Sequence, residues 1–521
     1  MSGSQDWKPK ANPWLIALVV TLAAFMEILD TTIVNVALPH IAGALSSSND
    51  EATWTLTSYL VANGIVLPIS GFFGNRIGRK RYFLICIGMF TVCSLLCGLA
   101  TSLPQLIVFR LMQGFFGGGL QPNQQSIILD TFPPAKRGLA FSITAVATIV
   151  APVLGPTLGG WITDNYTWRW IFFINLPVGA LTFFAVAALV EDPPWVLNQA
   201  KRGIDGIGLG LIALGLGSLQ VMMDRGEDDD WFGSPFIVTM AILAASGLIG
   251  AVLWLLTAKK PIVNLHVMGD RNFALGSFTT FCLFAIVYSS AVLIPQLAQE
   301  VLHYNSTNAG LLLSPGAALV CITIPVVQRV MGLVQTKYIV AFGFAVMGTG
   351  LTFSMMLVPY IDYNTLAEMR AAQSFGIALL FVPISTLAYA TLPKELNSDA
   401  AALYTMFRNV SGSIGISLAT AMVTERTQVR SAHLVTHLTP FDQPYNDTLA
   451  RNARTLLSMG HAAGTTLETA TGMMYQTLQT QAQVLAYSDV FMFCAIGAFC
   501  VVPFAFLFSG VRAAGGGGGG H

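Results

Sequence analysis

The chain has 521 residues, of which 54% are hydrophobic and only 10% charged. A soluble domain carries about 25% charged residues, so an ordinary soluble enzyme is excluded. Lys plus Arg and Asp plus Glu balance at 26 each, which leaves no basic footprint for nucleic acid.

A helix needs about 20 apolar residues to cross a bilayer. On that scale the chain reads as an all-α polytopic membrane protein with about 14 transmembrane helices. After a polar start at 1–13, apolar runs centre near 14–38, 52–73, 82–101, 104–128, 138–161 and 170–190. Two more follow at 204–223 and 234–257, then six at 273–294, 309–328, 338–359, 366–391, 399–422 and 488–510. A twelve-span alternative would leave 204–257 as a solvated loop. No residue from Gly206 to Met223 or from Trp231 to Ala258 is charged, so apolar length favours fourteen. No cleavable signal is expected, because Met1–Lys10 is polar and no small-residue site precedes Glu27. The Cys residues sit mostly within apolar runs and argue against a disulfide framework.

Positive charge sets the expected orientation. With both termini cytoplasmic, most of the 26 Lys and Arg fall in cytoplasmic segments, including Lys8, Arg76, Lys136, Lys201, Arg202, Lys259 and Arg512. Arg426, Arg430, Arg451 and Arg454 lie in one long outer loop, 424–487. That loop is polar and expected to carry helices on each side of a turn at Thr439–Pro444. Its length suits either docking of a partner or a lid over the outer cavity mouth. The acidic run Asp224–Asp230 reads as a solvated connector. The glycine-rich end of 511–521 reads as a flexible cytoplasmic tail.

Glu27 and Asp30 are three residues apart and share a helix face. A carboxylate at membrane depth is a functional candidate. Arg110 lies deep in an apolar run and is the expected counter-charge for Asp30, with Gln113 one turn on. A purely structural pairing stays open. The proton-coupling candidates are therefore Asp30, Glu27 and Arg110, and the substrate-cavity candidates Glu27, Asn35, Gln113, Gln121, Arg408 and Asn409. The gating motif comprises Gly71, Asn75, Arg76, Gly78, Arg79 and Lys80. Its glycines allow a tight turn, and its cations are expected to face the cytoplasm. In span five, Pro156 cannot donate to the carbonyl of Pro152, so a kink is expected. Gly155 and Gly159 permit close backbone contact, with Gly160 beside them. Arg370, Gln373 and Gly376 echo Arg110, Gln113 and Gly114, a hint of repeated halves. His433 and His437 have no further ligands nearby, so no metal is expected. No phosphate-binding loop is present, and no cofactor is expected.

Residues 71–81 resemble the signature loop of the major facilitator superfamily, except that Asn75 replaces the usual Asp. Leu29–Pro39, Arg110–Gly114 with Gly117–Gly119, Ala151–Gly160 and Trp168–Pro177 resemble the fourteen-span drug:proton antiporter branch. Within that branch the chain resembles EmrB-type pumps. The resemblance implies a six-helix bundle at 14–190, two linking spans within 191–272 and a second bundle at 273–510. It implies a proton-driven multidrug exporter of lipophilic or amphipathic compounds in the bacterial inner membrane, surrounded by lipid. It further implies a periplasmic adaptor protein and, through it, an outer-membrane channel. Export of one specific metabolite or lipid fits the same scaffold. A non-transporting receptor or scaffold is the alternative from another class. A membrane-embedded enzyme is not expected, since no nucleophile–base pair is visible.

Overall fold

The structure, a computed structural model, describes residues 9–197, 203, 205–436, 438–439 and 441–509. Lys8, Lys201, Arg202, His437, Pro440 and Arg512, and with them the glycine tail, lie outside the described residues. The first half comprises α1 (Pro13–Ala44), α2 (Asn49–Ile77), α3 (Arg79–Leu99), α4 (Leu103–Gly117), α5 (Leu120–Thr131), α6 (Pro134–Asn165), α7 (Trp170–Phe173) and α8 (Asn175–Leu189). The connecting part holds α9 (Pro194–Leu197), α10 (Gly206–Arg225) and α11 (Pro235–Thr257). The second half comprises α12 (Arg271–Gln296), α13 (Ser306–Leu311), α14 (Ser314–Met331), α15 (Thr336–Phe353) and α16 (Tyr363–Ala388). It ends with α17 (Asn397–Val435), α18 (Gln443–Ser458) and α19 (Ala463–Ala505). The face of the bundle that carries Pro13 is here the N-face.

Local chemistry explains the boundaries. Asn12 accepts the Trp14 N–H at 2.9 Å and Pro13 opens α1, both standard helix starts. Ser48 and Glu51 cap α2 reciprocally, at 3.0 and 3.1 Å. Gly78, at φ 98°, is the entire link between α2 and α3. Only glycine adopts that conformation without strain.

Among the described residues, twelve helices are long and apolar enough to cross a membrane. The α4–α5 pair and α17 are not among them. The expected fourth span, 104–128, is divided because Gly118 and Gly119 interrupt it. A Cβ on Gly118 would meet the Asn63 carbonyl at 2.7 Å, and one on Gly119 the Cys86 sulfur at 2.5 Å. α17 carries Asp399, Arg408 and several hydroxyl residues, which lower its apolarity. With α4–α5 and α17 included, the alternation of helix ends fits fourteen crossings. Outward faces carry exposed Leu181, Phe184 and Ile322, as a lipid-facing surface requires.

One apolar core lies in the second half. A second lies in the first half and also takes in Tyr389, Leu403 and Tyr404 from the other half and Leu216 and Leu255 from the linking helices. α10 touches both halves. Arg225 donates to Thr53 at 2.7 Å on α2, and Ser417 of α17 donates to the Met223 carbonyl at 2.6 Å.

The segment 424–487 is mainly helix. α17 has 39 residues and α19 has 43. At 1.5 Å per residue they span about 58 and 64 Å, roughly twice the hydrocarbon thickness. They therefore continue past the bilayer on the side opposite the N-face, joined by α18. Arg430 donates to both carboxylate oxygens of Asp489, at 2.9 and 2.6 Å, and ties the pair together.

Candidate functional site

Asp30 lies in the middle of α1, where the run of apolar neighbours leaves the backbone helical and the side chain no water. Arg110 of α4 donates to Asp30 Oδ2 at 2.6 Å, and neither side chain is exposed. Gln113 and Asn175 donate to Oδ1 at 3.1 and 2.7 Å. Asn175 also donates to Ser94 at 3.0 Å. The carboxylate thus gathers α1, α3, α4 and α8 onto one point. Arg110 is held further by the Thr55 carbonyl at 3.2 Å, by Gln113 Oε1 at 2.8 Å and by the Tyr59 ring at 4.2 Å. A buried charge needs such pairing.

Glu27, one turn earlier, forms a second buried cluster. Asn63 donates to Oε1 at 3.0 Å, Tyr59 donates to the same oxygen at 3.4 Å, and Gln121 donates to Oε2. Tyr59 therefore touches both carboxylate clusters: its hydroxyl meets Glu27 and its ring meets the counter-ion of Asp30. Gly114 and Gly117 make this possible. A Cβ at Gly114 would collide with the Tyr59 backbone, and one at Gly117 would lie 2.8 Å from its hydroxyl. Arg408, from α17 in the other half, is buried within electrostatic reach of Glu27. Asn409 is half-buried, and Asn35 is exposed, with no side chain of either cluster bonded to it.

The residues of the candidate gating motif lie at the N-face, where the two halves meet. Gly71 abuts α17, where a Cβ would lie 2.8 Å from the Ser398 carbonyl. The expectation that all the cations of this loop face the cytoplasm is corrected for Arg79. Arg79 is buried and paired with Asp130 of α5, and donates to the Ser126 carbonyl at 3.3 Å. The reason is geometric: Gly78 turns the chain back on itself, so the residue after it points between the helices. Asn397 from the second half donates to the same Asp130 at 3.1 Å. Tyr389 donates to Gln125 at 3.0 Å, a further bond between halves. Lys80 donates to the Ala187 carbonyl at 2.6 Å near the end of α8, and its backbone N–H to Asp192 at 2.8 Å. Arg76 lies 5.7 Å from the Phe72 ring. Asn75 Oδ1 is buried without a hydrogen-bond partner.

In α6 the helix runs on through Pro152 and Pro156. Gly155 and Gly159 face Thr32 and Ile33, and Gly160 faces Val36, so this glycine stripe packs on α1 directly beside Asp30. In the second half the echo is spatial. Arg370 donates to Ser290 at 2.8 Å and to Gln373 at 3.2 Å, and Gln373 donates to Ser354 at 2.6 Å. Arg370 follows Ser290 by 80 residues, as Arg110 follows Asp30. Serine occupies the place of the acid.

Sequence reasoning missed Tyr59, Asn63, Asn175, Asp130 and Asp192. Asn63 and Asn175 had a signal, an amide inside an apolar run. Asp130 had one too, an acid at the end of a span opposite the Arg79 loop. Tyr59 had none, since aromatic residues are ordinary in spans.

The Major Facilitator Superfamily model matches residues 20–416. The chain is 35% identical to the "Multidrug export protein EmrB" of Escherichia coli (strain K12), over 99% of this chain and all of that one. It is 38% identical to the protein of the same name from Haemophilus influenzae, over 82% of this chain and 84% of that one. It is 34% identical to the "Fatty acid resistance protein FarB" of Neisseria gonorrhoeae, over 98% and 99%. Among solved structures, the proton:xylose symporter XylE matches with a TM-score of 0.58 at 13% identity, over 93% of this chain and 94% of that one, which shows the fold alone. The fold and these matches together place the chain in the Major Facilitator Superfamily, with EmrB-type multidrug export proteins among its relatives, as a transporter and not an enzyme.

Proposed function

We propose that this protein is a proton-driven multidrug efflux antiporter of the bacterial inner membrane, with both termini cytoplasmic. It exports lipophilic or amphipathic compounds by alternating access. The observation that carries the proton coupling is the Asp30–Arg110 pair, which has no solvent exposure and is joined by side chains from three helices besides α1. A proton on Asp30 removes the charge that holds Arg110 and Gln113, so loading is felt at once by α3, α4 and α8. Glu27 is the second titratable group of this surface. Bonds between the halves at Asp130, Asn397, Gln125 and Tyr389 make the N-face gate that must part when the bundles rock.

In the same reading, the long α17–α19 pair with α18 projects into the periplasm and docks an adaptor, which links the pump to an outer-membrane channel. The alternative for this element is a lid over the outer mouth of the cavity. Its length favours docking, in line with the adaptor that the sequence resemblance implies. A second substrate reading, export of a specific lipid, is favoured by the likeness to the fatty acid resistance protein.

Asp30→Asn in proteoliposomes tests the coupling. Export driven by an imposed proton gradient should be lost, while substrate binding survives because size and packing are kept. Wild-type export by this variant would remove Asp30 from the mechanism.

A further inference from the structure

The two halves treat matching buried cations differently. In the first half Arg110 is neutralised by Asp30, 80 residues before it. In the second half Arg370 takes the corresponding place, 80 residues after Ser290, and is 7% exposed. Its Nη1 donates to Ser290 Oγ at 2.8 Å and to Gln373 Oε1 at 3.2 Å. Both acceptors are neutral. Its Nε is buried without a hydrogen-bond partner among the described residues.

The acids of the second half stand elsewhere. Asp399 lies at the N-face end of α17, and Asp489 is held by Arg430. Glu300 is exposed and bonded by Gln296 at 3.2 Å. Glu368 is exposed on α16, and residues two apart on a helix do not share a face. No ionised side chain among the described residues acts on Arg370. A guanidinium keeps its proton in a protein. Hydroxyls, amides and water can satisfy its hydrogen bonds, but they leave its buried charge uncompensated. An anion taken up from solution would supply both.

The position of Arg370 suits such an ion. Tyr389, just past the end of α16, bonds Gln125 at the N-face, so Tyr363 marks the opposite end of that helix. Arg370 is seven residues in from there, about 10 Å at 1.5 Å per residue. Space is narrow. A Cβ on Gly316 of α14 would lie 2.3 Å from Ser374 Oγ and 3.4 Å from Arg370 Cγ. That crowding suits a single-atom anion better than one with an organic body.

We propose that Arg370 binds a chloride ion, which serves the second half as Asp30 serves the first. Nε is its principal donor. Chloride takes up no proton near neutral pH, so this pairing is indifferent to the proton gradient, whereas the Asp30–Arg110 pairing is broken by protonation. The site does not depend on the transport reading above, since it concerns the charge balance of the folded second half.

The test is the thermal melting of the full-length protein in lipid nanodiscs, followed by tryptophan fluorescence, in chloride and in gluconate at equal ionic strength. The wild-type melting temperature should rise with the logarithm of chloride concentration, by at least about 2 °C once chloride is about tenfold above its dissociation constant. Arg370→Gln removes the charge and should abolish the response. Ser290→Asp supplies a tethered acid at the place that Asp30 holds in the first half. It should also abolish the response, and in gluconate it should melt at or above the wild type, which a merely damaged site would not do. Should Arg370→Gln fail to fold, Ser290→Asp carries the comparison. A wild type that melts alike in both salts overturns the proposal without any variant. So does a full chloride response in either variant, which would place the ion, or a general salt effect, away from Arg370.

Discussion

The Asp30–Arg110 pair invites a double-mutant cycle. Both side chains have 0% exposure and lie 2.6 Å apart. Removing one partner of such a pair leaves an uncompensated charge and costs about 3–5 kcal/mol, whereas removing both together is far cheaper. Arg110→Gln leaves Asp30 with Gln113 and Asn175 as donors, so its cost should sit near the low end, about 3 kcal/mol. Asp30→Asn leaves Arg110 with the Thr55 carbonyl and Gln113, and should cost a similar amount. The double variant should be more stable than the sum by at least about 2 kcal/mol, within the range for residues in one bonded network. Unfolding in a denaturing detergent can be followed with a thiol-reactive dye. Cys97 is buried, and its sulfur lies 3.5 Å from Gln113, so in a background with the other six cysteines replaced it reports on this cluster. Single-variant costs below about 1 kcal/mol, or additivity within about 0.5 kcal/mol, would refute the argument that the pair is held by mutual neutralisation.

Gly114→Ala should force α4 off the Tyr59 backbone and cost about 1–3 kcal/mol in thermal melting, while Gly210→Ala, which meets nothing within 4 Å, should be neutral or stabilising. Arg79→Ala should loosen the N-face gate, and a cysteine placed at Ser398 should then react faster with a membrane-impermeant thiol reagent than in the parent; an equal rate would remove Arg79 from the gate. Arg430→Ala breaks a pair whose arginine side chain is 39% exposed, so solvent screening limits the loss to about 1 kcal/mol or less, read from the melting temperature. Replacing 430–480 by a flexible linker should leave proteoliposome export intact but abolish co-purification of the adaptor and cellular resistance; lost proteoliposome export would favour a lid instead.

Twelve of the span positions were legible because the bilayer imposes one requirement, a long apolar run, which α4–α5 and α17 meet less clearly. The same holds for Glu27, Asp30, Arg110 and Arg408, since a charge within an apolar run stands out without knowledge of its neighbours. The glycines of α4 and α6 could be read as packing residues, but not what they pack against. Contact between Gly114 and Tyr59, or between Gly155 and Thr32, depends on how helices distant in sequence lie side by side. The inward turn of Arg79 follows from the φ of one glycine and the position of Asp130 some fifty residues later. Which buried cation has an acid and which does not is likewise a matter of tertiary placement. Arg110 and Arg370 each precede a glutamine by three residues, and only the residue supplied from the facing helix, Asp30 in one half and Ser290 in the other, distinguishes an ion pair from a guanidinium held by neutral acceptors.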